Sequence, residues 1–127
     1  MKLYTDMATV YAKFRRYDRG ATVWKGGLID SNHLIMITTH YDMAFVKPIK
    51  LVDTTLTIVD RETDTVHTGY YKIKASDNTI RLINPKLIKL AYSIIGKDVK
   101  VSMSEDGEII CLNRAGIYIF IATITPP

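Results

Sequence analysis

Residues 79–113 read TIRLINPKLIKLAYSIIGKDVKVSMSEDGEIICLN, and the punctuation of this stretch decides the fold. A short β-type run ends at Asn84, a competent helix N-cap, and Pro85 follows where its missing N–H costs no hydrogen bond. Leu87, Leu90, Ala91 and Ile94 then recur at three- and four-residue spacing, while Lys86, Lys89 and Ser93 share the opposite face. The spacing predicts a helix over 85–95 that buries one side and shows two lysines on the other. Gly96 stops it. From Asp98 the period changes to two: Val99, Val101 and Met103 face inward, Glu105-Asp106-Gly107 turns the chain, and 108–112 returns. Asp-Gly between alternating apolar residues is a strong hairpin signal.

Outward from this stretch the chain reads as strands. In 9–17, alternation puts Val10, Ala12 and Phe14 on one face and Tyr11, Lys13, Arg15 and Tyr17 on the other, and Asp18-Arg19-Gly20 leads into a second strand over 21–25. An N-terminal β-hairpin region over about 1–64 is therefore expected. An apolar run at 34–37 is expected to continue as a strand to about Phe45, with a break at Pro48. Residues 49–60 and 66–75 read as two strands joined around Arg61-Glu62-Thr63-Asp64. The run 116–125, rich in isoleucine and aromatics, reads as a strand buried on both faces. The expected fold is thus mainly β, a compact antiparallel sheet or barrel in one domain over 1–127, with one short helix at about 85–95.

At 127 residues, 47% hydrophobic and 24% charged, the chain is long enough for one core. With no leader pattern and no apolar run near the ~20 residues that span a bilayer, a cytoplasmic location without membrane contact is expected. Cys111 has no partner for an intramolecular disulfide and lies between Ile110 and Leu112 in a presumed buried strand, which suits an inert core thiol. The absence of glutamine and abundance of isoleucine are compatible with a thermophilic source.

The net charge of +4 is unevenly spread. Between residues 2 and 25, Lys2, Lys13, Arg15, Arg16, Arg19 and Lys25 face only Asp6 and Asp18. Between 69 and 100, Lys72, Lys74, Arg81, Lys86, Lys89, Lys97 and Lys100 face only Asp77 and Asp98. Two basic concentrations are what a polyanion-binding surface needs, because neutralised phosphates release counterions. On a strand, Tyr70, Lys72 and Lys74 share one face, a basic and aromatic surface that grips phosphates and stacks on bases. Lys86 and Lys89 extend it, the hairpin face of Tyr11, Lys13, Arg15 and Tyr17 forms a second such surface, and Lys13, Arg15 and Arg16 of that hairpin are expected against the phosphate backbone. Solvated lysines that discourage strand pairing would look the same.

Residues 69–113 resemble the swapped-hairpin DNA-binding domain of AbrB-type transition-state regulators and antitoxins. The matching residues are the basic strand Tyr71-Lys72-Ile73-Lys74, Arg81 ahead of Pro85, the helix Leu87 to Ile95, the turn Gly96-Lys97-Asp98, and the Val99/Val101/Met103 strand with its Asp106-Gly107 turn. Asn84 and Ile80 stand where that family usually has an aliphatic residue and a glycine. The resemblance implies an intertwined homodimer forming one small barrel, with Lys72, Lys74 and Arg81 facing duplex DNA.

Catalytic chemistry is not expected. His33 and His40 are seven apart, which sends them to opposite faces of a strand, and His67 stands alone, so no metal set forms. No glycine-rich phosphate loop, nucleophile elbow or cysteine pair occurs, and no cofactor or small-molecule substrate is implied. The expectation is a small DNA-binding regulator. The alternative is a non-catalytic structural or protein-interaction β-domain of the viral or mobile-element kind.

Overall fold

The computed structural model describes residues 7–24, 27–39, 49–63 and 66–126. The strand expected to run on to Phe45 and the break at Pro48 fall outside the described residues, apart from the strand's start.

The decisive stretch folds as read. Helix α2 (Pro85–Ile95) begins at Asn84, whose side chain accepts from the Lys86 amide, and ends at Gly96, whose N–H donates to the Tyr92 carbonyl. Its apolar stripe of Leu87, Leu90, Ala91, Ile94 and Ile95 is buried, and each aliphatic side chain so removed from water contributes about 1.5–3 kcal/mol. Strands β8 (Lys100–Ser104) and β9 (Ile109–Arg114) form the predicted hairpin around Asp106-Gly107.

The N-terminal stretch does not form a hairpin. Residues expected as a strand over 9–17 are helix α1 (Met7–Tyr17). Val10 and Phe14, four apart, are buried in the core, but Ala12, which alternation would have buried with them, is exposed. The segment is rich in Ala, Met, Lys and Arg and poor in β-branched residues, which favours helix. The turn at Asp18-Arg19-Gly20 is real but joins α1 to β1 (Thr22–Trp24). Hence the described residues hold two helices, not one.

β1 is followed by β2 (Gly27–Ile29), β3 (Ile35–Thr38), β4 (Leu51–Asp53), β5 (Leu56–Arg61), β6 (Tyr71–Ala75) and β7 (Ile80–Ile83); β10 (Ile117–Ala122) comes after β9. The strands pair antiparallel into a seven-stranded sheet, ordered β1-β2-β3-β10-β9-β8-β4, and a three-stranded sheet, ordered β5-β6-β7. The single strand expected over 49–60 is therefore two strands in two sheets, split at Thr54-Thr55. There the Thr54 amide reaches the Val101 carbonyl while its hydroxyl pairs with Ser76 on the small-sheet side. The strand expected over 66–75 begins only at Tyr71.

β10 is buried on both faces, as its sequence predicts. Ile117, Ile119 and Ile121 join the main core with α1, α2, β3, β6, β8 and β9, while Phe120 packs with Ile29, Met36 and Cys111 in a second cluster. It turns out of β9 through Ala115 and Gly116, both with positive φ, a two-residue hairpin of the type that matches strand twist. The sheets are stitched together where Leu82 and Ile124 exchange two backbone hydrogen bonds of 2.8 Å. The strand-helix-hairpin unit of 69–113 thus exists as β6-β7-α2-β8-β9 but is divided between the two sheets, and no closed barrel forms among the described residues.

Candidate nucleic-acid interface

In a helix, residues three and four apart stack along one side. Along α1 this places Lys13, Arg16 and Tyr17 together, and along α2 it does the same for Lys86, Lys89, Leu90 and Ser93. The two helices contact each other, and these seven residues line a groove between them with a volume of about 360 Å³. Four cationic side chains converge on it. Arg16, Lys86 and Lys89 have no ion-pair partner among the described residues. The Ser93 hydroxyl donates to the Leu90 carbonyl at 2.7 Å and is thereby held along the helix.

The groove is anchored at the end of α1. Asp18 accepts hydrogen bonds from the Gly20 amide (2.8 Å), the Ser31 amide (2.7 Å) and the Ser31 hydroxyl (2.5 Å), tying the helix C-terminus to the β2–β3 turn. These bonds, the Ser31 hydroxyl foremost, hold its carboxyl below the usual carboxylate range. In the same turn Asp30 is 1% exposed, and one of its oxygens accepts from the amides of Leu34 (2.7 Å) and Ile35 (3.0 Å). Its other oxygen has no hydrogen-bond partner among the described residues. Burial pushes the Tyr17 hydroxyl up, and the neighbouring Asp30, Asp18 and Tyr70 push it further. Tyr17 is thus within electrostatic reach of Asp30, Asp18 and Tyr70, while it also lines the groove.

The ten cations and tyrosines expected at the interface are sorted by this arrangement. Lys13, Arg16, Tyr17, Lys86 and Lys89 come together in the groove. Tyr70 lies within electrostatic reach of Tyr17 and holds a tilted ring contact with His67 at 5.2 Å. Lys72 and Lys74 stand on the opposite face of β6 from the buried Ile73 and Ala75, with Lys72 in register with Asp60 and Lys74 with Thr57. Arg15 is directed elsewhere, donating to the Tyr11 hydroxyl at 3.2 Å with its guanidinium 5.7 Å from that ring.

Arg81 departs most from expectation. It is 9% exposed, and its Nε and Nη1 donate to the hydroxyls of Thr123 (2.9 Å) and Thr125 (2.7 Å). Two of its three guanidinium nitrogens are thus committed to holding the fold. Leu90, the apolar wall of the groove, was legible only as a core position, because the partner helix α1 was hidden by the strand-like alternation of its sequence.

Among the described residues no group of three His, Cys, Asp or Glu side chains gathers to hold a metal. No helix among them is long and apolar enough to cross a membrane. A second cleft, of about 260 Å³, lies where β4, the end of β6 and the β8–β9 turn meet, and it carries Asp53, Asp77 and Glu105. Asp53 is paired with Lys100 at 3.3 Å and Glu105 with Lys50 at 3.1 Å. Comparison of the chain with protein-family models, with curated proteins and with solved structures found no match.

Proposed function

We propose that this protein binds nucleic acid, gripping the phosphate backbone through the groove between α1 and α2. The observation that carries the reading is the convergence of Lys13, Arg16, Lys86 and Lys89 from two distant parts of the sequence on one recess. Positive charge gathered in a concavity attracts a polyanion more strongly than the same charge scattered over a surface. The favourable N-terminal end of the α2 dipole lies on the same side as Lys86. The AbrB-like order of 69–113 supports a DNA-binding regulator acting as a homodimer. The test is binding to DNA across a salt series. Affinity should fall steeply with salt, and Lys86→Glu with Lys89→Glu should weaken binding and flatten the slope by about one for each phosphate no longer neutralised. Absence of binding to any duplex or single strand, DNA or RNA, at low salt overturns the reading.

One observation favours a second reading, a protein-interaction domain. Among the described residues β5 lies at an edge of the small sheet, and Ile58 and Val59 on it are 57% and 46% exposed. An apolar edge strand is a template for strand addition, although the register shift at Val59 interrupts its regularity. A solution mass above the monomer that returns to the monomer in Ile58→Lys would support this reading. A monomer in both would count against it and against the homodimer.

A further inference from the structure

The groove between α1 and α2 has a shape and a lining that bear on which nucleic acid it takes. It is a shallow, open groove of about 360 Å³, which leaves a chain free to pass across it. A duplex presents its phosphates outside with the bases stacked inside, so it can reach the cations of this open groove but offers no base to its aromatic ring. A single strand bends and unstacks, and it can lower a phosphate and its base together.

The lining matches both halves of a nucleotide. Lys13, Arg16, Lys86 and Lys89 supply the charge, and Tyr17 and Leu90 supply an aromatic and an aliphatic surface among them. Tyr17 is also restrained. It is half-buried and within electrostatic reach of Asp30, Asp18 and Tyr70, and the chain just beyond it is fastened by the Asp18 bonds to Ser31. Tyr17 is at the same time part of the groove wall. A ring held in place loses little freedom when a base stacks on it, which is how sequence-tolerant stacking platforms work.

We infer that the groove takes single-stranded nucleic acid, holding one backbone phosphate among Lys13, Arg16, Lys86 and Lys89 while the adjoining base lies on the ring of Tyr17. The inference rests on the nucleic-acid reading above and adds the strandedness and the stacking residue. DNA and RNA single strands share this chemistry.

The experiment is fluorescence anisotropy on the full chain with labelled oligothymidylate, oligouridylate and a DNA duplex of equal strand length, about 15 nucleotides, at one low salt concentration. At least one single strand is expected to bind roughly ten-fold or more tightly than the duplex, and comparison of the two strands identifies the sugar. Tyr17→Leu should lower single-strand affinity by about ten-fold with duplex affinity within two-fold, whereas Tyr17→Phe, which keeps the ring, should retain it. Duplex binding as tight as that of either strand overturns the inference while leaving the nucleic-acid reading standing. So does unchanged single-strand affinity in a folded Tyr17→Leu protein. If no probe binds, the nucleic-acid reading itself fails. Should Tyr17→Leu not fold, as judged by circular dichroism, the strand-to-duplex ratio of the unaltered protein decides alone.

Discussion

Arg81 Nε donates to the Thr123 hydroxyl at 2.9 Å, joining β7 to the segment that follows β10 across 42 residues of sequence. The same threonine hydroxyl donates to the Gly107 carbonyl in the β8–β9 turn, at 2.5 Å. One small side chain therefore connects three parts of the fold. Thr123→Val keeps the shape but leaves a buried guanidinium N–H and a carbonyl without their partner, a destabilisation of about 1–3 kcal/mol. The check is a lowered urea midpoint at unchanged slope. Since Arg81 is enclosed, Arg81→Ala should destabilise the protein, and its nucleic-acid affinity should stay within about two-fold under conditions where it is folded.

Acid should loosen the junction between α1 and the β2–β3 turn. Asp18, like Asp77 and Asp106, is held below the ordinary value of 3.8 in the folded protein, with a side-chain hydrogen bond as the largest cause in each: Ser31, Thr79 and Ser104 respectively. A depressed folded pKa contributes stability that is present above the unfolded value and disappears as pH falls through the folded one. Melting temperature should therefore hold steady from neutrality to about pH 5 and fall below about pH 4. In Ser31→Ala the deficit relative to the unaltered protein should be present at pH 7 and close as pH drops through the Asp18 titration. A deficit constant down to pH 2.5, about the acid limit of such scans, would mean that the Asp18–Ser31 bond does not contribute through charge.

Cys111 should be chemically silent. It is fully buried between β8 and β10, and burial pushes its thiol up to about 12, with a hydrogen bond from Ser102 acting weakly in the other direction. The thiolate, which is the reactive form, is then negligible at neutral pH. A disulfide reagent at pH 8 should leave the native protein unmodified and titrate its one cysteine after denaturation. Rapid native labelling would show that this region opens.

Gly27 should tolerate no side chain. A Cβ there would lie against the Ile37 carbonyl oxygen, with the Ile37 carbonyl carbon and Thr38 Cα at 2.8 and 2.9 Å. These are backbone atoms of the neighbouring strand, and they move only if the β2–β3 pairing opens. Gly27→Ala is expected to cost at least about 1–3 kcal/mol, with amide exchange accelerated first along β2 and β3.

Much of this architecture was written locally in the sequence, and the exceptions share a physical origin. α2 was legible to the residue because Asn84, Pro85 and Gly96 mark its ends and its apolar spacing fits only a helix. The β8–β9 hairpin was legible from Asp106-Gly107. α1 was not, because Val10 and Phe14 are four apart, a spacing that satisfies periods of both two and 3.6; helix-favouring Ala12, Lys13 and Arg16 were the available signal. The split of 49–60 depends on Val101 and Ser76, which are distant in sequence. Half of the expected interface residues meet in one groove because the lysines of α2 were placed correctly on its outer face. Their neighbours on α1 could be assembled only by tertiary packing. Arg81 was misplaced because an arginine beside apolar residues reads as a surface cation until Thr123 and Thr125 are brought to it.

The central place of β10 has a consequence for how the protein is made. It lies between β3 and β9, yet the ribosome releases it after every other strand described. Until then β1-β2-β3 and β9-β8-β4 are separate half-sheets, each ending in an apolar strand whose backbone groups have no neighbour. Pairings that close across most of a chain form slowly, and such edges invite association between molecules meanwhile. A nascent chain arrested before Ile117 should therefore depend on chaperones and aggregate when they are withdrawn, and release of the next few residues should end that dependence.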